Sequence, residues 1–165
     1  MKSLKYITTA IIIGIFLLSG CFNRQTLLEG EQLQIQNYIK SLGVDFDTLP
    51  SGVLLHVDTS YDSVYILYSD EVLLVYTGIN LDDKNKVFAK DDSVYVKVND
   101  PYLLDGWKDI FLTVKNKTKG IAIFPFYAAY DKKRIANVIP YSTLVFYFYV
   151  EKKLPDTITI KQTKY

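Results

Sequence analysis

The chain has 165 residues, of which 49% are hydrophobic and 22% charged, and its formal net charge is +1. This composition is ordinary for one globular domain, so extended disorder is excluded over most of the length, and the near-neutral charge gives no indication of a nucleic-acid partner. The 14 tyrosines and 9 phenylalanines are unusual, and because aromatic side chains favour strands we expect an antiparallel sheet.

The chain begins with a short basic stretch and an apolar run, 7–18, that stops abruptly before the single cysteine, Cys21. This run is shorter than the about 20 residues that a bilayer span needs, and small residues separate it from the cysteine. The pattern resembles a bacterial lipoprotein signal peptide, which implies that residues 1–20 are removed and that Cys21 carries lipid. An uncleaved signal anchor is the alternative.

Lipidation would place the protein in the cell envelope, anchored to a membrane and extracytoplasmic. The outer membrane is favoured if the host is Gram-negative, because Phe22, which follows the cysteine, is not acidic. Residues 21–50 are interpreted as a tether that contains a helix over 27–42, since four apolar residues at helical spacing form one stripe there. Gly43 is suited to end this helix. The alternative is a solvated spacer that only holds the domain away from the membrane.

Beyond a Pro-Ser-Gly turn, apolar residues alternate or form short runs, which indicates strands. We predict strands at 53–57, 64–68, 72–77, 87–89, 93–98, 121–124 and 143–150, with a further one at 157–160. One short amphipathic helix, 105–114, interrupts this series, and Asp105 is expected to cap its first turn.

This order of elements predicts an α+β fold. A single helix cannot cover both faces of a sheet, so the simplest architecture is a curved antiparallel sheet half-wrapped around the helix at 105–114. The helix at 27–42 is an addition at the N-terminal side. We expect 105–114 to be the only helix packed inside the sheet.

The stretch 124–150 is the most informative about function. An apolar, aromatic run ends at Tyr130, a loop with three consecutive cations follows, and 138–142 leads into the last long strand. Apolar side chains that frame a charged loop at the mouth of a sheet indicate a site for an apolar ligand or peptide.

Within this stretch, P-x-x-x-A-Y, a loop and I-P-x-x-T-L-x-F resemble the second half of the FK506-binding peptidyl-prolyl isomerases, the FKBP family. Two earlier segments resemble the family in the same order: Val75-Tyr76-Thr77-Gly78 followed by Phe88, and Leu-Leu-Asp-Gly-Trp at 103–107. The resemblance implies that residues 51–165 form an FKBP-like domain with a pocket between sheet and helix. It also implies catalysis of rotation about X–Pro bonds.

The resemblance also assigns residues to the pocket. The expected catalytic residues are Tyr76, Phe88, Leu104, Trp107, Tyr130 and Phe146. The expected substrate-contacting wall consists of Val94, Leu103, Val138 and Ile139. The backbone N–H of Leu104 and the hydroxyl of Tyr130 are the candidates to hold substrate carbonyl groups. The alternative is that all of these are core residues, as most aromatics at such spacing are.

The sequence departs from the family's pattern within the pocket. The family's Phe-Asp pair is Phe88-Ala89 here, so the pocket carboxylate is missing. The glycine that usually follows Ala-Tyr is Asp131, and an aromatic expected before the Gly-Trp segment is Val94 or a neighbour. These differences predict a weaker isomerase than a relative that keeps the carboxylate.

The expected function is therefore that of a peptidyl-prolyl isomerase and folding helper that binds proline-containing segments of extracytoplasmic proteins. No metal or cofactor is expected, because one histidine and one cysteine cannot form a zinc site and no glycine-rich phosphate loop is present. Two alternatives stay open. One is an FKBP-like peptide-binding or chaperone module of an envelope complex with weak or no catalysis. The other is a structural lipoprotein with fully buried aromatics.

Overall fold

The computed structural model describes residues 24–82 and 85–152. The predicted signal peptide, Cys21 and the predicted strand at 157–160 lie outside the described residues. The contacts divide the chain into two units, Met1–Val44 and Asp45–Tyr165, and each unit is described by itself. In the described ranges, no helix is both long enough and apolar enough to cross a membrane.

In the described part of the first unit, residues 24–42 form a helix, α1. It begins three residues before the predicted start and ends as predicted. Gly43 follows with φ +69°, and its N–H donates to the Ile39 carbonyl at 3.1 Å. Glycine suits this position because a left-handed conformation costs other L-residues about 1–2 kcal/mol. The additional N-terminal helix is thus confirmed.

The described residues of the second unit contain an antiparallel sheet of six strands. The strands are β1 Asp47–Thr48, β2 Leu54–Ser60, β3 Glu71–Asn80, β4 Lys86–Lys97, β5 Thr118–Phe124 and β6 Leu144–Lys152. Their order across the sheet is β1-β2-β5-β6-β3-β4, so β6 is central and β4 lies at an edge. The buried apolar residues of the sheet form a single core with those of the helix between β4 and β5. The predicted α+β architecture with an antiparallel sheet is therefore confirmed.

The predicted strand at 64–68 is wrong. This segment has only one isolated bridge, between Tyr65 and Lys115. The cause is a local turn, because the Asp62 carboxylate accepts hydrogen bonds from the N–H groups of Ser63 and Val64 at 2.7 and 3.2 Å. Short polar side chains that bond the following backbone in this way compete with strand pairing.

The two predicted strands at 87–89 and 93–98 are one continuous strand, β4. The backbone of β4 pairs with β3 on both sides of the residues between them, Gly78 with Ala89 and Val75 with Ser93. The predicted tether, 21–50, also contains the two-residue strand β1.

The helix inside the sheet, α2, spans Asp105–Thr113 and buries Gly106, Trp107, Ile110 and Phe111. This buried face confirms the amphipathic helix predicted at 105–114. The predicted cap is wrong, because Leu104 occupies the cap position and no side chain caps the helix. The Asp105 carboxylate accepts a hydrogen bond from Lys108 Nζ at 3.0 Å instead. This i,i+3 pair is available because Asp105 is itself the first helical residue.

Candidate active site

Aromatic rings from α2 and from four strands, β3 to β6, meet at the centre of the domain. The ring centroids of Trp107 and Phe146 are 5.1 Å apart, and those of Phe146 and Phe124 are also 5.1 Å apart. Tyr76 and Phe88 each lie 5.7 Å from Phe146. All of these pairs are edge-to-face, an arrangement that stabilises aromatic contacts beyond simple burial. The structure thus brings together the four predicted aromatics of the sheet and helix.

Two glycines allow these rings to approach the backbone. A Cβ atom at Gly78 would lie 2.4 Å from the Phe88 ring, so the absence of a side chain lets Phe88 lie against β3. A Cβ atom at Gly106 would lie 2.5 Å from both Phe124 and Val53, so α2 reaches the sheet only because position 106 is glycine. The Tyr-Thr-Gly and Gly-Trp motifs therefore have a packing reason in this chain.

The ten predicted pocket residues fall into three groups by exposure. Trp107, Phe146 and Val138 are buried members of the core. Five others are partly buried and pack against that core: Tyr76, Phe88, Leu103, Leu104 and Tyr130. Val94 and Ile139 are 44% and 36% exposed and lie outside this cluster. Eight of the ten positions thus form one group, with its partly buried members over a buried aromatic floor.

Two hydrogen-bond donors of this group have no acceptor among the described residues. The Leu104 carbonyl accepts from the Trp107 N–H at 3.0 Å, but the N–H of Leu104 itself has no partner in 24–82 or 85–152. The Tyr130 hydroxyl likewise makes no hydrogen bond within these ranges. Burial raises the pKa of Tyr130 above 10.0, so the hydroxyl remains a protonated donor at neutral pH. Leu104 and Tyr130 thus each have a donor without an acceptor among the described residues.

A closed loop positions Tyr130. A 3-10 helix at Phe126–Ala128 precedes it, and Asp131 follows with φ +51°. The Asp131 N–H donates to the Phe126 carbonyl at 2.8 Å, and the Asp131 carbonyl accepts from the Tyr141 N–H at 2.7 Å. Aspartate is among the residues that tolerate this left-handed conformation. Asp131 therefore adopts a backbone conformation suited to the glycine that the family pattern places here.

Ala89 lies next to Phe88 and pairs with Gly78 across the β3–β4 ladder. Only 8% of its surface is exposed. No carboxylate stands at this position, so the site is less polar here than the family pattern predicts. Among the described residues, no group of three or more histidine, cysteine, aspartate or glutamate side chains is placed to bind a metal ion.

A cavity of about 350 Å³ beside Leu104 was not anticipated from the sequence. Its lining includes Leu103, Leu104 and Gly106, the later segment Tyr127–Ala129, and Ser51. A Cβ atom at Gly52, whose φ is +85°, would lie 2.8 Å from the Tyr127 ring. The glycine therefore allows the turn to lie close to Tyr127. The only sequence signal for this cavity was the Pro-Ser-Gly turn, and the turn alone does not indicate that it lies against Tyr127.

No protein-family model matches the chain, and no curated protein matches it. Solved structures do match. FkpA from Escherichia coli shares 22% identity with a TM-score of 0.59, and the match covers 75% of this chain and 58% of FkpA. A peptidyl-prolyl cis-trans isomerase from Pseudomonas syringae pv. tomato shares 18% identity with a TM-score of 0.61, covering 79% of this chain and 93% of that one.

A plant protein gives a similar match. The N-terminal domain of FKBP42 from Arabidopsis thaliana shares 13% identity with a TM-score of 0.59, and the match covers 67% of this chain and 94% of that domain. Identities this low establish likeness of fold. The chain therefore contains a domain with an FKBP-like fold.

Proposed function

We propose that this protein is a peptidyl-prolyl cis–trans isomerase that assists the folding of extracytoplasmic proteins. The observation that supports this most is the grouping of Tyr76, Phe88, Leu104 and Tyr130, all partly buried, over the floor that Trp107 and other core aromatics form. This grouping occurs in an FKBP-like fold, and one of the solved structures that shares the fold is named as a peptidyl-prolyl isomerase.

Rotation about an X–Pro bond needs no acid, base or nucleophile. The barrier is about 18–20 kcal/mol for an ordinary peptide bond, and uncatalysed X–Pro isomerisation takes about 10–100 s. Resonance in the planar ground state places negative charge on the carbonyl oxygen, and the twisted transition state carries less of this charge. An apolar pocket that removes water from the imide therefore stabilises the transition state relative to the ground state. Partly buried aromatics supply such a surface.

The substrate must also be held in a fixed orientation. In our proposal the N–H of Leu104 and the hydroxyl of Tyr130 donate to two carbonyl oxygens of the bound peptide. Both donors belong to the group of residues that packs around the aromatic floor. A peptide held at two carbonyls keeps the proline ring in the pocket while the imide rotates, which is a contribution from positioning.

A second candidate function is peptide binding without useful turnover. Ala89 favours it, because the carboxylate of the family pattern is absent beside Phe88. An aromatic pocket with two donors would still bind prolyl segments and shield them in an envelope complex. The two candidates differ in one measurable property, the rate of cis–trans exchange of a bound peptide.

The experiment compares wild type with Tyr130→Phe in a protease-coupled assay on a Leu-Pro or Phe-Pro peptide. We expect wild type to accelerate isomerisation and Tyr130→Phe to lower kcat/KM by roughly twofold to tenfold, because one neutral hydrogen bond contributes about 0.5–1.5 kcal/mol. Tyr141→Phe is the matched control, since Tyr141 is an exposed tyrosine of the same loop outside the pocket group. Equal rates for all three proteins would remove Tyr130 from the mechanism.

We also propose that the domain is lipid-anchored and extracytoplasmic, with a signal peptide at 1–20, a lipidated Cys21, a tether at 21–50 and the FKBP-like domain at 51–165. The abrupt end of the apolar run before the cysteine supports this. Cys21→Ala is expected to accumulate as an uncleaved precursor, measurable by mass spectrometry of the membrane fraction. A Cys21→Ala protein that is processed and fractionates like wild type would disprove lipidation.

A further inference from the structure

The segment 61–68 presents an exposed apolar surface. Five large hydrophobic side chains in it are between 49% and 65% exposed: Tyr61, Val64, Tyr65, Leu67 and Tyr68. We call these five side chains, with Lys115 and Lys119 beside them, the tyrosine face. Soluble monomeric proteins seldom expose contiguous apolar surface of this kind, and where they do it marks an interaction site.

The tyrosine face is held in place rather than loosely tethered. Ile66, in the middle of the segment, is only 2% exposed and belongs to the core. Asn116 Nδ2 donates to the Asp62 carboxylate at 2.8 Å, and the Leu67 N–H donates to the Asp70 carboxylate at 2.7 Å. Hydrogen bonds thus fix both ends of the segment, and the buried Ile66 fixes its middle. The fold itself therefore holds the apolar side chains at the surface.

Two cations lie directly on this surface. Lys115 Nζ is 5.6 Å from the centroid of the Tyr65 ring, and Lys119 Nζ is 5.9 Å from that of the Tyr61 ring. Neither lysine has a carboxylate partner among the described residues. Lys152, at the nearby end of β6, differs because its Nζ lies 2.8 Å from the Asp70 carboxylate.

Three carboxylates lie near the face, and two of them, those of Asp70 and Glu151, are paired with lysines. Hydrogen bonds to the Asp62 carboxylate hold its pKa below its usual value, and the bond from the Asn116 side chain contributes most. The Asp70 carboxylate is partly buried, which alone would raise its pKa, but bonds from Lys152 and Leu67 keep that pKa lowered. Glu151 lies 3.5 Å from Lys117 Nζ. Asp62 keeps its negative charge, because the groups that bond it are neutral. The face therefore presents aromatic rings together with two lysines, Lys115 and Lys119, that have no carboxylate within salt-bridge distance among the described residues.

We propose that the tyrosine face docks on an anionic lipid surface, with its tyrosines at the level of the headgroups and Lys115 and Lys119 against lipid phosphates. Tyrosine is enriched at membrane interfaces, and lysine places its charge at the interface while its stem lies along apolar surface. A basic residue near an anionic leaflet strengthens binding, which matches the two unpaired lysines. An apolar polypeptide would not require these cations.

The position of the face gives the docking a consequence for the candidate active site. The Tyr61 N–H donates to the Lys117 carbonyl, at the end of the sheet where Thr118 pairs with Val150. Asp131, which follows Tyr130, is tied to Tyr141, near the other end, where Phe124 pairs with Leu144. Docking through the face would therefore direct the loop after Tyr130 away from the lipid.

The test measures chemical modification of tyrosines in the full chain bound to vesicles. The chain is collected by flotation on vesicles of phosphatidylcholine, or of equal parts phosphatidylcholine and phosphatidylglycerol, then footprinted with hydroxyl radicals and analysed by mass spectrometry. Tyr141, 42% exposed and at the other end of the sheet, is the internal reference. We expect modification of Tyr61 and Tyr65, relative to Tyr141, to fall severalfold on the anionic vesicles only.

The matched variants separate charge from general adhesion. Each lysine near an anionic leaflet typically strengthens binding about fivefold, so the double variant Lys115→Gln/Lys119→Gln should lower the ratio of docked to free domains by about 25-fold and restore tyrosine modification. The control, Lys132→Gln/Lys133→Gln, removes the same charge from exposed positions in the loop after Tyr130. It should leave the protection unchanged.

Three results would overturn the proposal. The first is equal reactivity of Tyr65 and Tyr141 on both kinds of vesicle. The second is protection that survives removal of both lysines. The third is protection produced without vesicles by an unfolded polypeptide and absent on anionic lipid, which would assign the face to protein binding.

Discussion

Ile110→Asp is expected to unfold the domain. Ile110 is fully buried on the face of α2 that packs into the core. An unpaired carboxylate at such a position costs several kcal/mol, which is comparable to the whole stability of a small domain, about 5–15 kcal/mol. Thermal unfolding followed by circular dichroism should show no cooperative transition, and most of the protein should be insoluble.

Leu112→Asp is the matched control for this substitution. Leu112 lies two residues further along α2 and is 45% exposed, so the same carboxylate there faces water. Surface substitutions usually change stability by no more than about 0.5 kcal/mol, so Leu112→Asp should melt close to wild type. A soluble Ile110→Asp protein with a wild-type transition would show that α2 does not form part of the core.

Ala89→Asp is expected to raise the isomerase rate by roughly tenfold to hundredfold. A carboxylate beside Phe88 would accept hydrogen bonds from donors in the pocket and fix their orientation, and one hydrogen bond to a charged group contributes about 1.5–3 kcal/mol. The change also restores the residue type that the family pattern places after the phenylalanine. kcat/KM on a Leu-Pro peptide is the measured quantity.

Ala89→Asn separates charge from volume in this experiment. Asparagine has the same shape as aspartate and no charge, so it should give a smaller gain. The melting temperature of each variant is measured in parallel, because position 89 is only 8% exposed and a buried charge can destabilise the fold. A folded Ala89→Asp protein with the wild-type rate would show that the missing carboxylate does not limit catalysis.

The sequence was sufficient to predict α2 and the end of α1, because each depends on residues close together in the chain. The apolar face of α2 follows from helical spacing, and Gly43 ends α1 with the positive φ that glycine favours. Gly78 was recognised as part of a motif, and the structure gives its reason, the close approach of the Phe88 ring. Signals of this type are encoded within a few residues.

The errors concern properties that depend on distant parts of the chain. Val94 pairs with Leu74, which is only 3% exposed, and yet Val94 itself is 44% exposed. The difference is that β4 is an edge strand, which alternation of apolar residues cannot indicate. The segment 64–68 has strand-like composition, but the Asp62 turn and the pairing with Lys115 place only Ile66 in the core.

The central claim is that the partly buried group around Trp107 catalyses rotation about X–Pro bonds. NMR exchange spectroscopy on a Phe-Pro peptide, with substoichiometric wild-type protein, measures this rotation directly and needs no coupling protease. We predict cis–trans exchange well above the spontaneous rate, increasing in proportion to protein concentration and lost on addition of excess competing prolyl peptide. Line broadening from peptide binding, with an exchange rate equal to the spontaneous one in both wild type and Ala89→Asp, would contradict the claim and leave a peptide-binding module.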